Sequence, residues 1–234
     1  MPERVECQPA YVLHSRPYKE TSALVSFLTL DYGRIDGVAR GVRRKNSRNR
    51  ALLQSLQPLH ISWRGASELK TLSDIEACGG LPLLTGRAVS CVLYANELIN
   101  RLIMPGEAVP ELFREYALLI NQLQDKALLE PALRNFEWQL LASLGYPILF
   151  RQSSGKVIDP QGRYDYLWQS GFVINDEGIP GELLLALEQD DWSDPRALRA
   201  AKILNRAAIQ PLLGDKPLLS RQLFHNGVHK APAP

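Results

Sequence analysis

"ALVSFLTLDYGRIDGVAR", residues 23–40, decides how the first third of the chain is read. Residues 23–30 are apolar on both faces and dense in Val, Phe, Leu and Thr, the composition of a buried strand. Asp31-Tyr32-Gly33 then supplies a turn into "RIDGVAR". Further along, "LHISWR" at 59–64 alternates Leu59, Ile61 and Trp63 with His60, Ser62 and Arg64, the period of two of a strand with one buried face. "AYVLHS" (10–15) and "ELKTLSDI" (68–75) bring the count to about five strands within the first 80 residues. That count suits an OB-fold barrel, with other small barrels and SH3-like folds left open.

Near Leu81 the period changes. Val89, Val92, Leu93, Leu98, Ile99, Leu102 and Ile103 recur at helical spacing until Pro105-Gly106 stops them. A second helix runs from about Pro110 through Phe113, Tyr116, Ile120 and Leu123. A third carries the stripe Leu129, Leu133, Phe136 and Leu140 and stops at Gly145 and Pro147. Short connections predict a small helical bundle, with its boundary at "CGGLP", 78–82. Residues 151–175 read as irregular, with one or two strands in "YDYLWQSGFVI" (164–174). "SDPRALRAAKILNRAAI" (193–209) is a helix capped by Ser193 or Asp194, with Pro195 in its first turn and Pro211 at its end. "LSRQLF" (219–224) is a last short helix, and the tail from His225 is expected to be disordered. The expected organisation is α+β: an OB-fold barrel over 1–80, a helical bundle over 81–150, and a small irregular α/β region over 151–234.

An apolar content of 45% with 22% charged residues is that of a soluble globular protein. No apolar run approaches bilayer length and the start has no signal-like apolar region, so a cytoplasmic protein with no membrane contact is expected. Cys7, Cys78 and Cys91 lie far apart without a C-x-x-C pair, which is neither a disulfide framework nor a zinc pattern. The net charge is only +2, but residues 1–80 hold 12 Lys/Arg against 8 Asp/Glu while 151–234 hold 10 against 10, so the excess is local. It concentrates in "VARGVRRKNSRNR", 38–50, inside a stretch between Asp36 and Glu68 that has no acid at all. Arg40, Arg43, Arg44, Lys45, Arg48 and Arg50 there, with Arg34 on the preceding strand, can neutralise phosphates. The bland reading is a solvated hairpin loop. Tyr18, Tyr32 and Trp63 could stack bases beside it, although each taken alone fits a core or rim position.

A second basic face, Arg196, Arg199, Lys202 and Arg206, is spaced three or four apart on one side of a helix; it suits phosphates or an acidic peptide as well as plain solvation. Catalytic patterns are weak. "SSGK" has Phe150 where a phosphate loop needs its first Gly and Val157 where it needs Ser/Thr. Asp190, Asp191 and Asp194 could be imagined as a metal-dependent nuclease cluster, but acids just before a helix read more simply as a loop and cap. His225 and His229 flank Gly227, which argues against a helical zinc pair. No catalytic residue, cofactor or metal site is expected.

Several stretches resemble the RecO family of bacterial recombinational repair proteins: "YVLHSRPYKETSALVSFLT", "GRIDGVARGVRRKNS", "LYANELINRLI", "EPALRNFEWQLLASLGY" and "LRAAKILNRAAIQPLLGDKPLLSRQLF", in matching order. The resemblance implies an N-terminal OB-fold, a helical bundle, and a C-terminal part that in many members holds zinc through four cysteines; residues 151–168 here contain none, as in a zinc-free branch. It further implies binding of single- and double-stranded DNA, annealing of complementary strands, and action with RecR to load RecA on DNA coated by single-stranded DNA-binding protein (SSB). The DNA role then falls on the seven cations Arg34, Arg40, Arg43, Arg44, Lys45, Arg48 and Arg50. The acidic SSB tail is assigned to a groove at Leu133, Arg134 and Phe136, whose bland reading is bundle core. A non-enzymatic, monomeric, nucleoid-associated protein is the resulting expectation, with a scaffold binding RNA or an acidic protein as the alternative.

Overall fold

In the computed structural model, which describes residues 4–226, the longest strand is β1, Arg4–Tyr18. Its first part pairs antiparallel with β4 (Pro58–Arg64), its last part with β2 (Ser22–Thr29), and Ala10 and Tyr11 pair with both. A strand that serves two edges has to bend. It does so at register shifts between Val5 and Gln8 and between Val12 and His14, where an extra residue tightens the curl. At the first of these Cys7 takes a positive φ and donates its N–H to Ser62 Oγ at 3.0 Å. With β3 (Gly33–Ala39) lying parallel to β5 (Leu69–Ala77), the strand order β1-β2-β3-β5-β4 closes into an OB-fold-like barrel.

The alternation of small and large apolar residues fills it. Val25, Phe27, Ile35, Leu59, Ile61 and Trp63 form the interior, and Tyr32 meets Trp63 edge to face with ring centroids 5.2 Å apart. Both aromatics therefore belong to the packing of the barrel, and fully buried Trp63 is no platform for a base.

Helices α1 (Arg87–Leu102) and α2 (Pro110–Gln122) pack on the barrel, against β1 and β2 respectively. Asn96 of α1 makes this docking specific: its amide donates to Leu13 O and to Ser55 Oγ, each at 3.1 Å, and its carbonyl accepts the Tyr116 hydroxyl. Burial pushes the Tyr116 phenol above its ordinary pKa, so it stays a neutral donor. The turn into β3 is equally constrained. Gly33 has φ +60°, and a Cβ there would stand 1.6 Å from Glu107 O, so only glycine lets β3 approach the chain after α1.

The compact units divide the chain differently from the expected partition. Among the described residues, one comprises 4–126 with 218–226, the other 127–217. The helices expected to form one bundle are split accordingly: α1 and α2 belong with the barrel, and α3 (Leu129–Ser143) pairs with α5 (Pro195–Leu213) in the second unit. The physical reason is that the apolar faces of α1 and α2 cover barrel strands, while α3 has its own polar link to α5. In that link, Arg134 pairs with Glu137 at 2.7 Å, Asn205 donates to Glu137 Oε2 at 2.6 Å, and the Trp138 indole donates to Asn205 Oδ1.

The second unit also contains a three-stranded sheet of β6 (Arg163–Leu167), β7 (Gly171–Ile174) and β8 (Ile179–Pro180), followed by α4 (Gly181–Glu188). Asp194 caps α5 by accepting from Arg196 N at 2.7 Å. Contrary to expectation, α5 continues through Pro211 to Leu213. In its last turn the proline forfeits one N–H bond without forcing a break, and Gly214, at φ 63°, ends the helix. After it, α6 (Leu223–Asn226) closes the described chain, so that the tail expected to be disordered from His225 begins instead in a helix; its remainder, 227–234, with His229, lies outside the described residues.

Glu97 fastens residues 218–220 to α1: it accepts from Leu219 N at 3.0 Å and from Ser220 N at 2.8 Å, and from the Ser220 hydroxyl. Burial alone would raise its pKa, but the Ser220 and Leu219 donors and Arg101 outweigh it and hold the carboxyl below its ordinary value of 4.5. A lowered folded-state pKa means that this interaction contributes fully above the ordinary value and fades as pH falls through the lowered one. Glu97→Gln is expected to speed hydrogen exchange at Leu219 and Ser220 at neutral pH, and the difference from wild type is expected to vanish in acid. Asn96→Ala, which removes the acceptor of the Tyr116 hydroxyl and the donors to Leu13 O and Ser55 Oγ, is expected to destabilise the barrel unit by about 1–3 kcal/mol in urea unfolding.

Candidate nucleic-acid interface

The basic stretch leaves the barrel between β3 and β4, and both of its ends are held. Val42 and Leu53 are buried in the barrel core. Between them, Arg44 N bonds to Gly41 O, Ser47 N to Arg44 O and Leu52 N to Asn49 O, and Arg48–Arg50 forms a single 3-10 turn. The loop is thus a chain of short turns anchored by two apolar side chains. Arg43 N also bonds to Thr21 O at 2.8 Å, and its guanidinium reaches Lys19 O and Glu20 O at 3.2 and 3.4 Å, which couples the loop to the β1–β2 turn.

Arg40, Arg44, Lys45, Arg48 and Arg50 are exposed, and among the described residues none of them has an ion-pair or side-chain hydrogen-bond partner. Arg34 differs. Its side chain is only 14% exposed and donates to Ile103 O at 3.1 Å, to Asn100 Oδ1 at 3.2 Å and to Asp36 at 3.3 Å. It ties β3 to the end of α1, and Asp36, which also accepts from Ser26 Oγ, compensates its charge. The DNA contact expected at Arg34 is corrected to a structural one.

Beside the loop lies a cleft of about 460 Å³ lined by Lys19, Arg40, Arg44 and Lys70 with Tyr18, and no carboxylate contributes to its lining. Lys70 is the unusual member. It is 2% exposed, its ammonium donates to Ala66 O and Ser67 O, and no described carboxylate pairs with it. Sequence reading missed Lys70 and Lys19. Both sit outside the basic stretch, and only the parallel pairing of Gly37 with Lys70 and the turn after Tyr18 bring them to it. A second cleft, about 680 Å³ and sharing Tyr18 and Leu69 with the first, continues over β1, β2 and β3, where Arg16 and Arg34 line it together with the carboxylates of Asp36 and Glu68. The strand 2–3 face and the turns between strands 1 and 2 and strands 4 and 5 are where OB-folds hold oligonucleotides.

The family model "Recombination protein O N terminal" matches residues 4–81 and "Recombination protein O C terminal" matches 83–212. The DNA repair protein RecO of Pseudomonas paraeruginosa is 46% identical over 224 residues, covering 94% of each chain. That of Aromatoleum aromaticum is 41% identical (95% of this chain, 96% of the relative), and that of Chromobacterium violaceum 40% identical, with the same coverage. The chain belongs to the RecO family. Its role therefore lies in DNA repair and recombination.

Within this RecO chain the remaining candidates fare unequally. Leu133 and Phe136 are at most 2% exposed and Arg134 pairs with Glu137, so these three residues are interior and form no open groove for a peptide. The apolar stripe that suggested a groove is the packed face of α3. On α5, Arg199, Lys202 and Arg206 are exposed, whereas Arg196 is occupied by Asp194 at 2.7 Å and Glu182 at 3.0 Å. Asp191 and Asp194 serve as turn and cap acceptors, for Ser193 N and Arg196 N. Side-chain hydrogen bonds from Ser193 and Arg196, with these backbone bonds beside them, hold both carboxyls below their ordinary pKa.

The zinc that the RecO resemblance implies for many members has no matching donors: residues 151–168 carry no cysteine, and among the described residues no three His, Cys, Asp or Glu side chains cluster. Close packing holds this segment. Phe172 stacks on Phe150, and the Tyr164 hydroxyl accepts from Asp159 N at 2.9 Å. A Cβ on Gly181 would lie 1.9 Å from Asp159 O. None of the described helices is long and apolar enough to cross a membrane.

Arg134→Ala leaves Glu137 buried without its guanidinium and is expected to cost about 3–5 kcal/mol in chemical unfolding. Arg44→Ala is expected to stay within about 0.5 kcal/mol of wild type. Equal stability of the two variants would contradict the distinction between structural and free cations.

Proposed function

We propose that the β3–β4 loop and its adjoining cleft bind the phosphate backbone of single- and double-stranded DNA, and that the protein anneals complementary strands without covalent chemistry. The observation that carries this reading is the set of five exposed cations that have no partner among the described residues, in a stretch of chain that contains no acid. A cation already paired must give up its carboxylate before it can meet a phosphate; these five retain their full charge for it, and binding releases the counterions condensed on DNA. Such contacts position a strand without reading bases. Annealing needs repulsion between two polyanions to be screened and bases to be left accessible, and a phosphate-binding loop supplies the first of these.

Membership of the RecO family supports the finer assignments: work with RecR in loading RecA onto SSB-coated DNA, contact with the acidic SSB tail, and a place in the cytoplasm on the nucleoid as a monomer that acts by binding rather than as an enzyme. On this reading residues 1–80 are the principal DNA-binding domain, and Arg199, Lys202 and Arg206 form a secondary basic patch.

Fluorescence anisotropy of a labelled single strand tests the loop directly, with Arg43, Arg44, Lys45 and Arg48 all changed to Ala. Affinity is expected to fall, and the slope of log affinity against log salt to shrink by roughly 0.7 for each phosphate no longer neutralised. An unchanged slope in a variant that melts like wild type would remove the loop from the interface.

A further inference from the structure

The second unit carries a cleft that none of the roles above employs. It has a volume of about 590 Å³, within the range of small-ligand sites of about 300–1,000 Å³. Three pieces of chain build it: the segment after α3 that begins at Gly145, the 151–157 hairpin, and the turn between β6 and β7. The last two are joined backbone to backbone, by Phe172 N to Arg151 O at 3.3 Å and Ser153 N to Phe172 O at 2.8 Å. Gly171 allows this approach. Its φ is +88°, and a Cβ would meet Arg151 O at 3.2 Å.

On this fixed backbone sit side chains of one kind of chemistry. Tyr146 and Trp168 lie with ring centroids 4.8 Å apart and planes inclined by 41°, and Tyr146 is 37% exposed despite its size. Arg151 is exposed, and Gln169 projects from the turn at a left-handed φ of 60°. Neither side chain has a partner among the described residues, and no carboxylate lines the cleft. Aromatic rings, an unpaired amide and an unpaired guanidinium, with no negative charge, match the parts of a nucleotide: a π-face, a base edge with donors and acceptors, and a phosphate. An apolar peptide would be matched by aliphatic walls, of which Leu149 is the chief example here.

We infer that this cleft is a second single-strand site, which takes one unstacked nucleotide with its base against Trp168 and Tyr146, its base edge at Gln169 and its phosphate at Arg151. The inference rests on the reading of the protein as a binder of single strands. A base within a duplex has both faces covered by its neighbours, so the site selects single strands where the phosphate-binding loop does not. Two strand sites of different character, one reading only charge and the other requiring a free base, suit a protein that brings a strand to its complement.

The test is intrinsic tryptophan fluorescence of the full chain titrated with oligothymidine and, separately, with duplex DNA. Stacking is expected to quench emission with the single strand only, and Trp168→Phe is expected to remove that quench while the chain still binds. Arg151→Ala, which removes an exposed side chain that has no ion-pair or hydrogen-bond partner among the described residues, is expected to weaken single-strand binding roughly tenfold in anisotropy and to leave duplex binding within about twofold. At low salt, the loop variant with four cations removed is expected to keep the Trp168-dependent quench. Saturation by oligothymidine with no Trp168-dependent change would overturn the inference while leaving the loop reading intact. Loss of all binding in the loop variant alone, with the Arg151 variant unaffected, would do the same. Absence of any DNA binding by wild type would overturn both. A Trp168 response to an acidic apolar peptide but not to oligothymidine would reassign the cleft to a protein partner and refute the nucleotide.

Discussion

The surface of the barrel depends on one strand serving two neighbours. β1 can pair with β2 and β4 together only because it bends at two bulges, and that bending closes the sheet. Closure in turn sets β3 parallel to β5, which carries Lys70 to the end of β3 from which the basic loop departs. The loop itself is strung between Val42 and Leu53, two side chains held by the same barrel core. An acid-free segment of sequence becomes an acid-free patch of surface because its ends are fixed in one core.

What distinguishes the cations of this molecule is whether the fold has already used them. Arg34, Arg134 and Arg196 each meet a carboxylate, and Arg34 and Arg134 are also largely withdrawn from water. Truncating a withdrawn cation of that kind leaves an uncompensated partner, so the effect falls on stability rather than on binding. Arg40, Arg44, Lys45, Arg48 and Arg50 stand apart from every described acid, and isolated surface cations contribute little to folding. A protein gains nothing in stability from gathering them, and the proposed polyanionic partner would account for their presence together.

The barrel was legible in the sequence because alternation in "LHISWR" and the turn at Asp31-Tyr32-Gly33 are local signals, and the strands they predict are present. The allotment of the helices was not. Nothing in the periodicity of α3 tells whether its apolar stripe faces α1 or α5; the choice is made by Asn205 and Glu137, 68 residues apart in sequence. The same blindness misplaced Leu133, Arg134 and Phe136, since a stripe with an adjacent cation reads alike whether it is covered or open. Among the loop residues, sequence identified the cluster of charge but missed the turns that order it, which consist of backbone bonds such as Ser47 N to Arg44 O. Lys70 and the Tyr146–Trp168 cleft were invisible for a related reason, because each is assembled from segments that meet only in the folded chain.

The central claim is that the ordered β3–β4 loop meets the phosphates of DNA. Hydrogen exchange of the full chain, with and without a single-stranded oligonucleotide at low salt, tests it most directly. The account predicts slowed exchange over residues 40–52 and at Thr21 and Ser22 on the adjoining turn, reversed when salt is raised. Protection confined to other segments at saturating DNA, with 40–52 unchanged, would contradict it.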